Sequence, residues 1–404
     1  MSRTHRVARG ALPLLMGAVG AIAGCTSDAN VLGPTPTSSM FQSYVAVGNS
    51  ITAGFESDGI NDSTQRLAFP FLLARSMRTR YAYASLAMPG CRPPINNFQT
   101  QTRVTLAGQP PSTAATCALR SATPIAAALN NVAVPGIASV DPTLQVEQNA
   151  SALSQLILGG KSMVQKALDV QPTFATVWIG NNDVLQPAIL GQLAGATPQA
   201  TFAQNYSKMI SELLAGAPGI KGVLIGVVQI AGAPVMITAQ ALKNAAFVAG
   251  LSQAAGKPIT VDPTTCANST SLIGFPIISQ IRAGAHPPII ACEKTPTPPL
   301  GDIFVLDEAE QVQVKAIIDN YNAFIKAKAD SIGFAYYDPN TTLARITALD
   351  PVLSTHVPNL ASATATFGQY VSLDGIHPGP ATHIEIEKDL VAVINAKYGT
   401  SLVP

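Results

Sequence analysis

Three short segments place polar side chains where an apolar run ends: Val47-Gly48-Asn49-Ser50-Ile51-Thr52-Ala53-Gly54, Val177-Trp178-Ile179-Gly180-Asn181-Asn182-Asp183 and Leu373-Asp374-Gly375-Ile376-His377-Pro378-Gly379-Pro380. Taken alone, the first is a polar turn in which Gly48 permits a positive φ and Asn49 caps a backbone group. Taken together, the segments supply a nucleophile, a base and an acid. A serine hydroxyl is a poor nucleophile at neutral pH and needs a base within hydrogen-bond reach, a role that His377 can fill for Ser50. Imidazole titrates near neutrality, so one ring can take the serine proton and then return it to a leaving alcohol. Asp374 lies three residues before His377, in a segment that Gly375, Pro378 and Pro380 hold out of a continuous helix. Its carboxylate can accept from Nδ1–H, which leaves Nε2 free for the serine. This chemistry requires no cofactor.

These residues resemble the SGNH/GDSL hydrolase superfamily, whose Ser, Gly, Asn and His stand in four separate blocks. The first block, usually Gly-Asp-Ser-Leu, is Gly48-Asn49-Ser50-Ile51, with Asn in place of Asp. The glycine block matches Asn131-Val132-Ala133-Val134-Pro135-Gly136, the third is Gly180-Asn181-Asn182-Asp183, and the fourth is Asp374-Gly375-Ile376-His377-Pro378. All four occur in family order. The resemblance implies a three-layer α/β/α, flavodoxin-like fold with a mostly parallel central sheet, and an ester hydrolase with Ser50, Asp374 and His377 catalytic. It also implies an oxyanion hole made by the N–H of Ser50, the N–H of Gly136 and the side-chain amide of Asn182. One such donor is typically worth about 3 kcal/mol of transition-state stabilisation. Leu86-Ala87-Met88-Pro89-Gly90 is a rival for the glycine block, so Gly90 stays an alternative to Gly136. Around Ser50 there is no Gly-x-Ser-x-Gly, so the strained elbow of the α/β-hydrolases is not indicated.

The elements that must hold these groups alternate between short β-rich runs and longer helical ones. Strands are expected at 43–47, 173–179, 222–228 and 334–337, and helices at 69–77, 147–170, 202–214, 308–332 and 381–398. Helices of crossover length between apolar strands predict a parallel sheet covered on both faces, with its chemistry at the carboxyl ends of the strands. Two regions rich in Pro, Thr and Ala, at about 89–130 and 255–300, read as loop insertions. Trp178 is expected in the core, Asp183 in turn structure and Asp58 at the surface. His286 and His356 fall in Pro-rich loops and are expected to face solvent, whereas His383, close to His377 in sequence, could line the site.

Composition excludes other classes. With 47% hydrophobic and 12% charged residues over 404 positions the chain is not disordered, and 24 Lys+Arg against 23 Asp+Glu provide no basic excess for nucleic acid. A mean hydropathy of +0.28 raises the question of a membrane span. The apolar run from Ala11 to Gly24 behind Arg3, Arg6 and Arg9 is shorter than the ~20 residues a span needs and has the form of a secretory leader. It ends in Ile22-Ala23-Gly24-Cys25, which resembles the lipobox of bacterial lipoproteins, with an ordinary cleaved leader as the alternative. On the lipoprotein reading 1–24 is removed, Cys25 carries the lipid, 25–40 is a flexible Ser/Thr/Pro-rich tether and 41–404 is the hydrolase domain. Thr26 after that cysteine then implies outer-membrane sorting in a host that has one.

Without Cys25, Cys91, Cys117, Cys266 and Cys292 remain, an even set for an oxidising compartment. Three pairings are open, and proximity favours Cys91 with Cys117 and Cys266 with Cys292. No Cys or His spacing fits a metal site. The expected function is a lipid-anchored serine esterase or lipase outside the cytoplasm, hydrolysing carboxylic esters through an acyl-serine intermediate, with a lipid acyl ester or an acetylated glycan as substrate. The alternatives are an acetyl esterase acting on glycans and a non-catalytic binding lipoprotein.

Overall fold

A computed structural model describes residues 35–117, 128–144, 151–294 and 304–404. The expected leader, Cys25 and the tether through residue 34 lie outside these residues. The tether's end is already docked, because Thr37 N–H donates to Met77 O at 3.1 Å and Ser39–Phe41 form a helical turn.

Four parallel strands form the central sheet: β1 (Tyr44–Gly48), β2 (Phe174–Trp178), β3 (Lys221–Ile225) and β4 (Ala335–Tyr337), adjacent in that order. Tyr44 stands opposite Phe174, Phe174 opposite Lys221, and Ala335 opposite Val223. Residues 130–134 run along the free edge of β1, where Ala46 N–H donates to Asn130 O at 2.7 Å, Val132 N–H to Ala46 O at 3.1 Å and Val134 N–H to Gly48 O at 3.2 Å. Counting that segment as a strand gives the order 2-1-3-4-5 of doubly wound flavodoxin-like sheets.

The strands read as mainly apolar runs because both sheet faces are covered, and the one polar side chain inside β2, Thr176, is hydrogen-bonded to the Tyr44 hydroxyl. Side chains alternate between two cores. Val45, Val47, Ala175, Val177 and Leu224 enter one, while Tyr44, Ala46, Phe174, Trp178, Val223 and Ile225 enter the other. After α1 (Ser50–Ala53) and α2 (Phe69–Met77), the chain forms α3 (Ala152–Leu158), α4 (Met163–Leu168), α5 (Gln199–Gly216), α6 (Glu308–Ile332) and α7 (Pro380–Tyr398). Helices α3 to α6 bury Ile157, Val164, Phe202 and Ile318 in the first core, and α2 and α7 bury Phe69, Leu73, Leu390 and Ile394 in the second. Burying each of these side chains is worth roughly 1.5–3 kcal/mol. Helix α6 shows how the sequence specifies its ends. Asp307 and Glu310 form a reciprocal capping box, Val314, Ile318, Tyr321, Ile325 and Ala329 make the buried stripe, and Gly333 at φ +74° ends it.

Two expectations change. The helix expected at 147–170 is two helices over its described part, because Gly159 (φ +59°) and Gly160 (φ +86°) break it and a Ser162–Gln165 capping box restarts it. The apolar period continues across that break, so the pattern reads as one element. The insertion regions contain short paired segments instead of loop alone. Residues 95–97 pair with 102–103, and 236–238, 272–274 and 305–306 form an antiparallel sheet. Strands of two or three residues are too short to show a period. Cys91 is bonded to Cys117 and Cys266 to Cys292, each across 26 residues. Chain-entropy reasoning assigns about 3.5 kcal/mol to each closure.

Candidate active site

The polar segments sit at the carboxyl ends of β1 and β2 and just before α7. At Gly48 the chain passes so close to Thr52 that a Cβ would stand 2.1 Å from Thr52 Oγ1. Asn49 Oδ1 then accepts from Ile51 N–H at 3.2 Å, capping α1 and placing Ser50 in its first turn. Asp would cap equally well, so the departure from the family block keeps the local role. It leaves Nδ2 buried without a partner among the described residues. After β2, Gly180 at φ +127° has its Cβ direction closed by Val227 at 2.7 Å, and Asn181–Asp183 form a single turn.

The third segment folds back on itself. Ser372 N–H donates to His377 O at 2.9 Å, and Gly375 takes φ +75°. This turn carries His377 to Ser50, with Nε2 2.9 Å from Oγ, and holds Nδ1 2.8 Å from Asp374 Oδ2. The Phe55 ring packs edge-on against the imidazole at 5.0 Å. Asp374 Oδ2 also accepts from Asp58 N–H at 2.9 Å, while Oδ1 accepts from Ile376 N–H and His377 N–H at 2.9 Å and from the Ser372 hydroxyl at 3.1 Å. Burial alone would raise the Asp374 carboxyl, but the charge of His377 and these donors hold it well below the usual carboxylate range. An ionised carboxylate can only accept, so the proton between it and the ring belongs to Nδ1. Nε2 is then an acceptor, and Ser50 O–H donates to it.

Asn182 Nδ2 donates to Ile137 O at 2.8 Å and retains a second hydrogen. Asp183 accepts from Ser139 N–H at 2.8 Å and from the Ser139 hydroxyl at 2.6 Å. It therefore clamps the loop after Gly136, beyond the turn role read from its sequence. Gly136 follows the segment that runs beside β1 and is exposed at φ +86°. The N–H groups of Ser50 and Gly136 have no acceptor among the described residues. Gly90, the rival, packs elsewhere. A Cβ there would stand 2.5 Å from Ile60 O, and the next residue's N–H donates to that carbonyl at 2.8 Å.

Ser50, Asn182 and His377 share the wall of one cavity with Trp178, Leu185, Val228, Ile230, Leu343, Ile346, Tyr370, Ile376 and Ile386. Gly136 is not part of that wall. No Asp, Glu, Lys or Arg among the described residues lines it. Trp178, 1% exposed, is both core and cavity floor. His383 is buried away from the cavity, where its Nδ1 accepts from Phe69 N–H at 3.2 Å and burial pushes its pKa down to about 3. His356 is half-buried instead of solvent-facing, and burial lowers its pKa. Asp58 is more than a surface acid, for it meets Arg92 and Arg103 through its carboxylate and Asp374 through its N–H. No cluster of His, Cys, Asp and Glu among the described residues is arranged to hold a metal.

Glu56 escaped the sequence reading. Burial first, and then the charge of Asp374, push its carboxyl up to about 7, with His377 pulling the other way. Since its ordinary value is 4.5, between about pH 4.5 and 7 the folded protein keeps a proton that the unfolded chain has lost, and stability falls as pH rises through that window. Glu56→Gln should therefore gain nothing on the wild type below about pH 4 and gain up to ~3 kcal/mol above about pH 7. Urea midpoints measured across this range test it; a difference that is flat, or that grows toward acid, contradicts the assignment.

The model of the family described as GDSL-like Lipase/Acylhydrolase matches residues 44–390. No curated protein matches the chain in sequence. Among solved structures it is similar to the phospholipase A1 from Streptomyces albidoflavus NA297, at 14% identity and a TM-score of 0.37, over 88% of this chain and 99% of that one. That likeness is too loose to bear on function. The family match runs from β1 through most of α7 and takes in all three polar segments, so the chain belongs to the GDSL-like lipase/acylhydrolase family and is an ester hydrolase.

Proposed function

We propose that the protein is a serine esterase or lipase that cleaves carboxylic esters of apolar acids through an acyl-Ser50 intermediate. The observation that carries this reading is the bonded series Ser50, His377, Asp374 opening onto a cavity whose walls, among the described residues, bear no carboxylate, ammonium or guanidinium. Ser50 Oγ attacks the ester carbon as its proton passes to His377 Nε2. The carbonyl oxygen gains the negative charge and is met by the N–H of Ser50 and the amide of Asn182, with the N–H of Gly136 completing the hole. Collapse expels the alcohol, which takes the proton from His377. Water then repeats the sequence on the acyl-serine and releases the acid. Asp374 stays ionised throughout, held low by His377 and its other donors.

We further propose export and anchoring through lipid on Cys25. Two disulfide bridges fit an oxidising compartment. No helix among the described residues is long and apolar enough to cross a membrane.

Three measurements test these readings. A fluorophosphonate should label the wild type stoichiometrically at Ser50 and should not label Ser50→Ala; Asn182→Ala should lose about 10²–10³ in kcat and Asp374→Asn about 10⁴. A folded wild type that neither labels nor hydrolyses any ester defeats the enzyme reading. In an acyl-length series, kcat/KM should rise beyond acetate, by up to about tenfold per well-buried pair of methylenes; preference for acetylated xylan or pectin would move the assignment to glycan acetate. Cys25→Ala should shift the expressed full-length protein from the membrane to the soluble fraction, and unchanged membrane association would rule out the lipid anchor.

A further inference from the structure

The residues behind Asp374 form a support with an unusual backbone. Ser57 and Asp58, neither of them glycine, both take left-handed conformations, with φ +52° and +54°. L residues with side chains avoid this region, and two in succession persist only where the surroundings hold them. What the conformation achieves is visible in its hydrogen bonds. Ser57 N–H donates to the Ser372 hydroxyl at 2.8 Å, and Asp58 N–H donates to Asp374 Oδ2 at 2.9 Å, the same oxygen that receives His377 Nδ1–H. In return, Leu373 N–H donates to Ser57 Oγ at 3.1 Å. Two successive N–H groups are thus aimed at the turn that carries the acid.

One side chain holds this geometry from outside. Arg103, 8% exposed, gives Nη1 to the main-chain oxygen of Asp58 at 2.9 Å and to Pro93 O at 2.7 Å, and gives Nη2 to the Asp58 carboxylate at 2.5 Å. Gripping a residue by both its carbonyl and its side chain fixes the orientation of its Cα, and with it the direction in which its own N–H points. A planar, rigid fork does this, and a flexible ammonium does not. Arg92 reaches the same carboxylate at 2.8 Å, but it is exposed and touches no main-chain atom of Asp58. Arg103 belongs to the segment closed by the Cys91–Cys117 bridge, which also donates Ile95 N–H to Ser57 O at 2.7 Å. The insertion expected to be a loop therefore braces the residues that support the acid.

We propose that Arg103, acting through Asp58, is a positioning residue for the hydrolytic centre: it holds the Asp58 N–H on Asp374 and so fixes the carboxylate that orients His377. Neither residue touches the reacting atoms. The proposal rests on the Ser50 mechanism above, and it predicts a loss in turnover without a matching loss in substrate binding, since neither residue lines the cavity beside Ser50.

The experiment measures kcat and KM on a soluble short-chain ester, with kcat expressed per Ser50 titrated by the fluorophosphonate, so that misfolded protein does not count. Arg103→Met should lower kcat about tenfold to a hundredfold, the range that misplacement of about an ångström produces, with KM within about twofold. Arg92→Met, which removes the exposed partner only, should keep kcat within about twofold. Asp58→Asn tolerates the left-handed conformation and still offers Arg103 an acceptor, so it should stay within about threefold, whereas Asp58→Ala should fall about tenfold or more. Unchanged turnover per titrated serine in Arg103→Met, or an equal loss in Arg92→Met, overturns the proposal. If Arg103→Met does not fold, the Asp58 pair decides, and equal turnover in the two overturns it. A wild type that fails to label or turn over defeats the esterase reading itself, and that is seen before any variant is compared.

Discussion

The arrangement around Ser50 and His377 depends on keeping one largely shielded carboxylate charged. An ion taken out of water loses several kcal/mol of solvation, and a carboxylate left without donors takes up a proton instead. Asp374 avoids this because five donors converge on its two oxygens: the ring and main chain of His377, the main chain of Ile376 and Asp58, and the hydroxyl of Ser372. Much of the surrounding architecture can be understood as their scaffold. The turn at 372–377 curls so that its N–H groups point inward, Gly375 makes the curl feasible, and the left-handed pair at 57–58 closes the remaining side. A neutral acid there would reverse the hydrogen bond to the ring and leave Nε2 carrying the proton, with nothing to receive the one on serine.

The cavity follows the opposite rule. The described wall beside Ser50 carries no Asp, Glu, Lys or Arg, so the negative charge that develops on a substrate oxygen there meets neutral donors. Preorganised neutral donors act most strongly in such a setting, since little else competes for them and little water screens them. Asn182 donates one amide hydrogen to Ile137 O, which fixes its plane at the cavity wall and leaves the other uncommitted, as the proposed role requires. The Asp183–Ser139 clamp, on the adjoining residue, ties the same loop to β2.

How much of this was legible in the sequence depends on the range of the interaction. Strands β1 and β2 are mainly apolar runs followed by glycine, a pattern that is local, and the chemistry at their ends shows in residue type alone. Asp374 and His377 are three residues apart, so their pairing was legible as well. The turn at Gly159 and Gly160 was hidden by an apolar period that ran on through it. The support of Asp374 was hidden for a different reason. Asp58 and Asp374 are 316 residues apart, and an N–H donor leaves no mark in the sequence, so a group that looks like an ordinary surface acid acts through its main chain. Arg103 and Glu56 likewise gain their significance only from what tertiary folding brings beside them.

Ser50 and His377 lie 327 positions apart, one at the first strand and the other just ahead of the last helix. A contact of such high sequence separation forms only when the intervening sheet is in place. An emerging or threading chain that still lacks its final fifty residues therefore has the serine but nothing to activate it. Hydrolytic competence arrives only with the completed domain, and until then the serine is held in a latent form.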